Sequence, residues 1–163
     1  MPPHGYLSLM RRLFVWLLWA GWLAAALSAP AATGRVIKVL PQFLDLKGRN
    51  SSSPSLYERD AFQAFLRQHT NQISTVKFNI QWRTAGKPAG PVKLRVELHG
   101  ILRNELPEEL VLEKPVEPSG WFGRWTAISL RPEEFQKLGE VTGWRVTLWE
   151  NGQRLGEQQS FLW

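Results

Sequence analysis

"TVKFNIQWRT", Thr75 to Thr84, decides the fold. Val76, Phe78, Ile80 and Trp82 alternate with Lys77, Asn79, Gln81 and Arg83. Successive side chains of a strand point to opposite faces. This strict period of two therefore describes a strand with one dry and one wet face, the habit of antiparallel sheets. "PVKLRVELHG", Pro91 to Gly100, repeats the scheme, with Val92, Leu94, Val96 and Leu98 against Lys93, Arg95, Glu97 and His99. The connector "AGKPAG" predicts that the two form a hairpin with a longer loop.

Upstream, "RVIKVLPQFLDL" is β-branched and aliphatic with Pro41 in its middle. Proline cannot donate to a ladder, so this is an edge strand, a bulged strand, or one that changes sheets at the proline. "KGRNSSSPS" is a turn-rich loop, and its sequon at Asn50 is read as chance because the leader has bacterial character. A helix follows over 56–68. Ser55 and Glu58 have the spacing of a capping box, and Arg67 and His69 bring positive charge to the last turn. On a helical wheel Arg59, Asp60, Gln63 and Arg67 share one polar stripe. Tyr57, Ala61, Phe62, Ala64, Phe65 and Leu66 cover most of the rest. So wide an apolar arc needs a surface. The helix is expected to lie as a lid over outward-facing tryptophans and protect an open part of the sheet.

Downstream, "EELVLEKPV" is a poorer strand that Pro115 and Pro118 place near an edge, and "WFGRWTAISL" reads as a fifth or central strand. "RPEEFQKLGE" is one or two helical turns: Pro132 suits the first position, Leu130 and Phe135 are spaced as a hydrophobic staple, and Gly139 marks the end. "GWRVTLWENGQRLGEQQSFLW" is two strands around Asn151-Gly152, a dipeptide that favours a type I′ turn. About seven strands, short turns and no strand-helix-strand alternation predict a mainly all-β fold, an antiparallel β-sandwich. In architecture it resembles immunoglobulin and fibronectin type III domains. The short helix before the last hairpin resembles their crossover between sheets, although their cysteine pair and tyrosine corner are missing.

The chain has 163 residues, enough for one domain. Arg11 and Arg12 precede the uncharged run "LFVWLLWAGWLAAAL" and then "SAPAA", the three parts of a signal peptide. Residues 1–31 are expected to be removed after Ala31, leaving residues 35–163 as a single domain with the helix 56–68 inserted. The alternative is an uncleaved anchor over 13–32, just long enough to span a bilayer. "RRLFV" resembles part of a twin-arginine signal but lacks the polar residue before the pair, and ordinary secretion is expected. With no cysteine, disulfides, thiolate metal sites and a lipidated N-terminal cysteine are excluded. Loss of Arg11 and Arg12 takes the formal charge from +6 to +4. Such mixed charge mainly keeps a protein soluble, and nucleic acid is not expected as a partner.

Chemistry-bearing clusters are scarce. His69 ends a helix and His99 sits on a wet strand face; no zinc-ligand spacing, nucleophile elbow, phosphate-cradling loop or dinucleotide fingerprint appears. Ser51 and Ser53 read as loop residues, and the glutamates from Glu105 to Glu117 as a solvated run. No catalytic residue, cofactor or metal is expected. Tryptophan is the unusual commodity. Trp82 and Trp144 have core parity, while Trp149 should face outward. If Trp125, Trp149 and Trp163 share a face, they form an aromatic patch for a ligand or partner; otherwise they pack under the helix or against one another. The expectation is an exported, periplasmic or extracellular, non-enzymatic protein that binds or builds part of the cell envelope. Its partner would be an envelope protein or a polysaccharide, and it would touch membrane only through an uncleaved anchor. The alternatives are a carbohydrate-binding module using exposed tryptophans and a small hydrolase.

Overall fold

Every segment that alternates in the sequence becomes a strand. The computed structural model describes residues 33–86, 90–101, 106–119 and 122–163. The leader expectations over 1–32, together with Glu105 and Trp121, lie outside the described residues. The strands are β1 (Thr33–Asp45), β2 (Ile73–Ala85), β3 (Val92–Ile101), β4 (Pro107–Val116), β5 (Arg124–Ser129), β6 (Glu140–Glu150) and β7 (Gln153–Gln159). Helix α1 (Leu56–Gln68) follows β1, and α2 (Pro132–Leu138) joins β5 to β6. The strands form two antiparallel sheets, ordered β1-β2-β5 and β4-β3-β6-β7.

The period-two segments are the two halves of the core. Val76, Phe78, Ile80 and Trp82 of β2 belong to one buried cluster with Val92, Leu94, Val96 and Leu98 of β3. Val146 and Leu148 of β6, Ile128 of β5, Val36 and Val39 of β1, Leu130 just ahead of α2 and Leu138 at its end belong to it too. Each such side chain contributes about 1.5–3 kcal/mol when fully buried. The predicted hairpin between β2 and β3 is not formed. β2 pairs with β1 and β5, whereas β3 pairs with β4 and β6. The chain therefore passes from one sheet to the other between β2 and β3. Alternation gives each strand a core face but does not choose its neighbours.

The strand order places the remaining segments. β1 is an edge strand and is also bulged, with a register shift between Val36 and Lys38, and β4 is the edge of the other sheet. β5, expected as a fifth or central strand, is fifth in the chain and an edge of its sheet. Helix α2 carries the chain from the first sheet to the second. Leu130 is buried, Phe135 packs against the core, and the Arg131 amide donates to Glu134 Oε2 at 3.0 Å. The β6–β7 turn has Asn151 at φ 44° and Gly152 at φ 82°, the pair of positive values that a type I′ turn requires. In constant-type immunoglobulin domains the fourth strand joins the sheet of strands one, two and five; here β4 pairs with β3 instead. The molecule is an immunoglobulin-like antiparallel β-sandwich.

Helix α1 departs from its expected role. Tyr57, assigned to the buried arc, is 83% exposed, and Leu56 and Phe65 are also exposed. Gln63, assigned to the wet stripe, is only 6% exposed, and Leu66 is fully buried. The Phe43 amide donates to Gln63 Oε1 at 2.8 Å, and Gln63 Nε2 donates to the carbonyls of Phe43 and Asn50, each at 2.9 Å. The helix packs on β1 by giving this edge strand a side-chain amide in place of another strand. It covers an edge, as expected, but not the tryptophans. The Ser55–Glu58 capping box is absent, since Ser55 makes no side-chain cap bond.

Candidate functional site: the open β4–β5 seam

The two lateral seams of the sandwich differ. On the β1–β7 side the backbones nearly touch: a Cβ added to Gly156 would lie 2.8 Å from the Gly34 carbonyl oxygen and 3.0 Å from Arg35 Cα. On the β4–β5 side the sheets stand apart and leave an open groove of about 460 Å³. Trp82 lies in its lining, its indole N–H donating to Thr126 Oγ1 at 2.9 Å. Lys114 and Glu117 line one side, and Arg124 and Trp125 the other. Arg124 and Glu117 form an ion pair at 3.5 Å across the groove. Both ends of that pair are well exposed, so it contributes little to stability.

The four sheet edges are not equally open. β1 is bonded to Gln63, β7 lies against β1, and β4 carries Pro107, Pro115 and three glutamates, the usual protection of an edge. β5 has none of these. Its Ala127 carbonyl turns away from β2 and accepts from Lys114 Nζ at 3.0 Å. Alternation turns the backbone groups of Trp125 and Ser129 the same way. Lys114 therefore holds one acceptor of an otherwise available edge.

The three tryptophans of the anticipated patch do not share a face. Trp125 pairs with Gln81 on the outer side of the β1-β2-β5 sheet and is 52% exposed. Trp149, opposite Lys93 and Arg154, lies on the outer side of the other sheet, half-buried, with its indole N–H donating to Thr147 Oγ1 at 2.7 Å. Trp163 reaches that second outer face, stacking on His99 with centroids 4.0 Å apart and lying 4.6 Å beneath the Arg145 guanidinium carbon. Trp82 is buried, and Trp144 is half-buried edge-on to Phe78 at 6.5 Å. No row of three outward rings exists among them.

The titratable groups serve local structure. His69 bonds the Phe65 carbonyl through Nδ1 at 2.9 Å and stacks on the Phe65 ring, while Ser51 bonds within its own loop to Ser53. Glu113 pairs with Lys93 at 2.9 Å and Glu109 with His99 at 3.4 Å. Glu97 accepts from Arg145 Nε at 2.6 Å, and this bond outweighs burial to hold its carboxyl below the usual range. Burial pushes the Asp45 carboxyl up, but the Arg49 amide and guanidinium and the Lys47 amide together bring it below its usual value. Among the described residues no three His, Asp or Glu side chains gather as a metal-ligating group. Sequence reasoning missed Lys114, Thr126 and Gln81. Lys114 was hidden in a charged run, and nothing local marks the other two.

No family model matches the sequence, and no curated protein matches it. Among solved structures the chain is similar to an immunoglobulin-like protein from Pseudomonas aeruginosa. The identity is 10%, the TM-score is 0.37, and the likeness covers 80% of this chain and 97% of that one. The immunoglobulin-like class of the present fold rests on its own strand order and register.

Proposed function

We propose that this is an exported, non-enzymatic module of the cell envelope that binds an extended segment of a partner protein along the β5 edge. The observation that carries the proposal is the contrast between β5 and the other three edges. A strand added beside Trp125, Ala127 and Ser129 would gain backbone hydrogen bonds, and the groove would receive alternate side chains of the incoming segment. Trp125 is the large side chain such a segment meets first. The leader pattern supports export, with removal after Ala31. The scarcity of chemistry-bearing clusters in the sequence supports a binding role over a hydrolytic one.

Ala127→Pro tests the edge. Its amide points to solvent, where an edge tolerates proline, so the fold should survive with an unchanged circular dichroism spectrum. The wild-type protein is expected to retain one dominant envelope protein from an extract, and the variant to lose it. Equal capture by both removes β5 as the site. Mass measurement of the exported protein should give a chain beginning at Ala32. Full-length protein held in the inner membrane would overturn the export proposal.

A further inference from the structure

The two sheets differ in charge in a way that the total conceals. β1, β2 and β5 together hold five Lys or Arg and one carboxylate, Asp45; the other sheet holds five Lys or Arg and seven carboxylates. The lone carboxylate is occupied, accepting from the Arg49 amide at 2.8 Å, the Lys47 amide at 2.9 Å and Arg49 Nε at 2.9 Å. In the second sheet Lys93 is matched across strands by Glu113 and Arg145 by Glu97, and Arg95 and Arg154 pair with glutamates of their own strands. In the first, Arg35, Lys38, Lys77 and Arg83 form no ion pair among the described residues.

Register gathers three of these cations around the exposed indole. Arg35 lies directly opposite Arg83, and in the next row Lys38, Gln81 and Trp125 stand side by side across the three strands. The bulge at Ile37 makes this row. In an unbroken register Ile37 would face Gln81, and Lys38 would point into the core. Like charges directly opposite each other weaken a sheet slightly, so folding gains nothing from the Arg35–Arg83 pair. An anion shared between them would convert that cost into attraction.

We infer that this outer face, centred on Trp125 and rimmed by Arg35, Lys38 and Arg83, binds a carboxylate-bearing polysaccharide. The indole presents a ring on which a sugar face stacks, the Gln81 amide can bond sugar hydroxyls, and the cations meet carboxylates along the chain. A lipid surface fits less well, because among the described residues of these rows the exposed Trp125 ring and the exposed Ile37 are set singly among Arg35, Lys38, Gln81 and Arg83 and form no protruding aliphatic cluster. The inference shares Trp125 with the edge-strand proposal but none of its backbone groups, so the two can fail separately.

The probe is polygalacturonate, with neutral dextran and phosphatidylglycerol vesicles as comparisons, read by affinity electrophoresis and vesicle sedimentation with the protein purified in its exported form. Polygalacturonate should bind, dextran should not, and 0.5 M salt should weaken binding about tenfold or more, since exposed charges are screened. R35Q/K38Q/R83Q should weaken it at least about tenfold and Trp125→Ala several-fold, with unchanged thermal melts. The charge-matched K93Q/R131Q/R154Q and the edge variant Ala127→Pro should bind as wild type does. Equal loss in the charge-matched variant would reduce the effect to net charge and overturn the inference. Binding to vesicles but not to the polymer, or no binding at low salt, would overturn it as well.

Discussion

Gln63 sits between Arg59 and Arg67 on a helical wheel, yet its amide turns inward and satisfies three backbone groups of β1 and the following loop. Its partners are the Phe43 amide, the Phe43 carbonyl and the Asn50 carbonyl. Gln63→Ala should cost about 1–3 kcal/mol, the usual penalty for orphaning partly buried polar groups. Urea denaturation measures the cost, and hydrogen exchange should show the Phe43 amide losing protection while β2 and β3 keep theirs. Nothing in the sequence distinguishes Gln63 from Gln68, because the pattern of a helix reports its polarity and not its neighbour. Trp82 is the opposite case. Its parity alone put it in the core, where it is.

Two glycines of the last hairpin separate conformational strain from crowding. Gly152 has φ 82° with open space where a Cβ would be, whereas a Cβ at Gly156 meets the backbone of β1 at 2.8 Å. Gly152→Ala should cost about 1 kcal/mol, for the left-handed conformation alone. Gly156→Ala should cost more, about 1–3 kcal/mol, because backbone cannot move aside as a flexible side chain can and the β1–β7 seam must open. Chemical denaturation midpoints order the two; the reverse order would remove the seam from the account. Asn151-Gly152 was legible because a two-residue turn carries its own geometry. The misread β2–β3 connection was not, because a loop rich in Gly and Pro serves equally between neighbours in one sheet and between facing sheets.

At the scale of the molecule, Asp45 and Glu97 tie stability to pH. Both carboxyls titrate below their ordinary values of 3.8 and 4.5 in the folded state, so the unfolded chain takes up these protons first. The stabilisation is fully present above the ordinary values and is lost as pH falls through the folded ones. Urea midpoints should therefore drop between pH 6 and pH 3, and Arg145→Gln should flatten that fall by removing the bond that holds Glu97 ionised. An acid limb unchanged in Arg145→Gln would remove Glu97 from it. By itself the sequence determined the strands, the tight turn, the two helices and the depth of Trp82, because each depends on residues within a few positions of one another. Only the tertiary structure decided which strands share a sheet, which seam stays open, where Gln63 points, and that Trp125 stands apart from Trp149 and Trp163, near cations that form no ion pair among the described residues. Those outcomes turn on pairings between distant segments, and on one inserted residue at Ile37, since a shift of a single position exchanges the two faces of a strand.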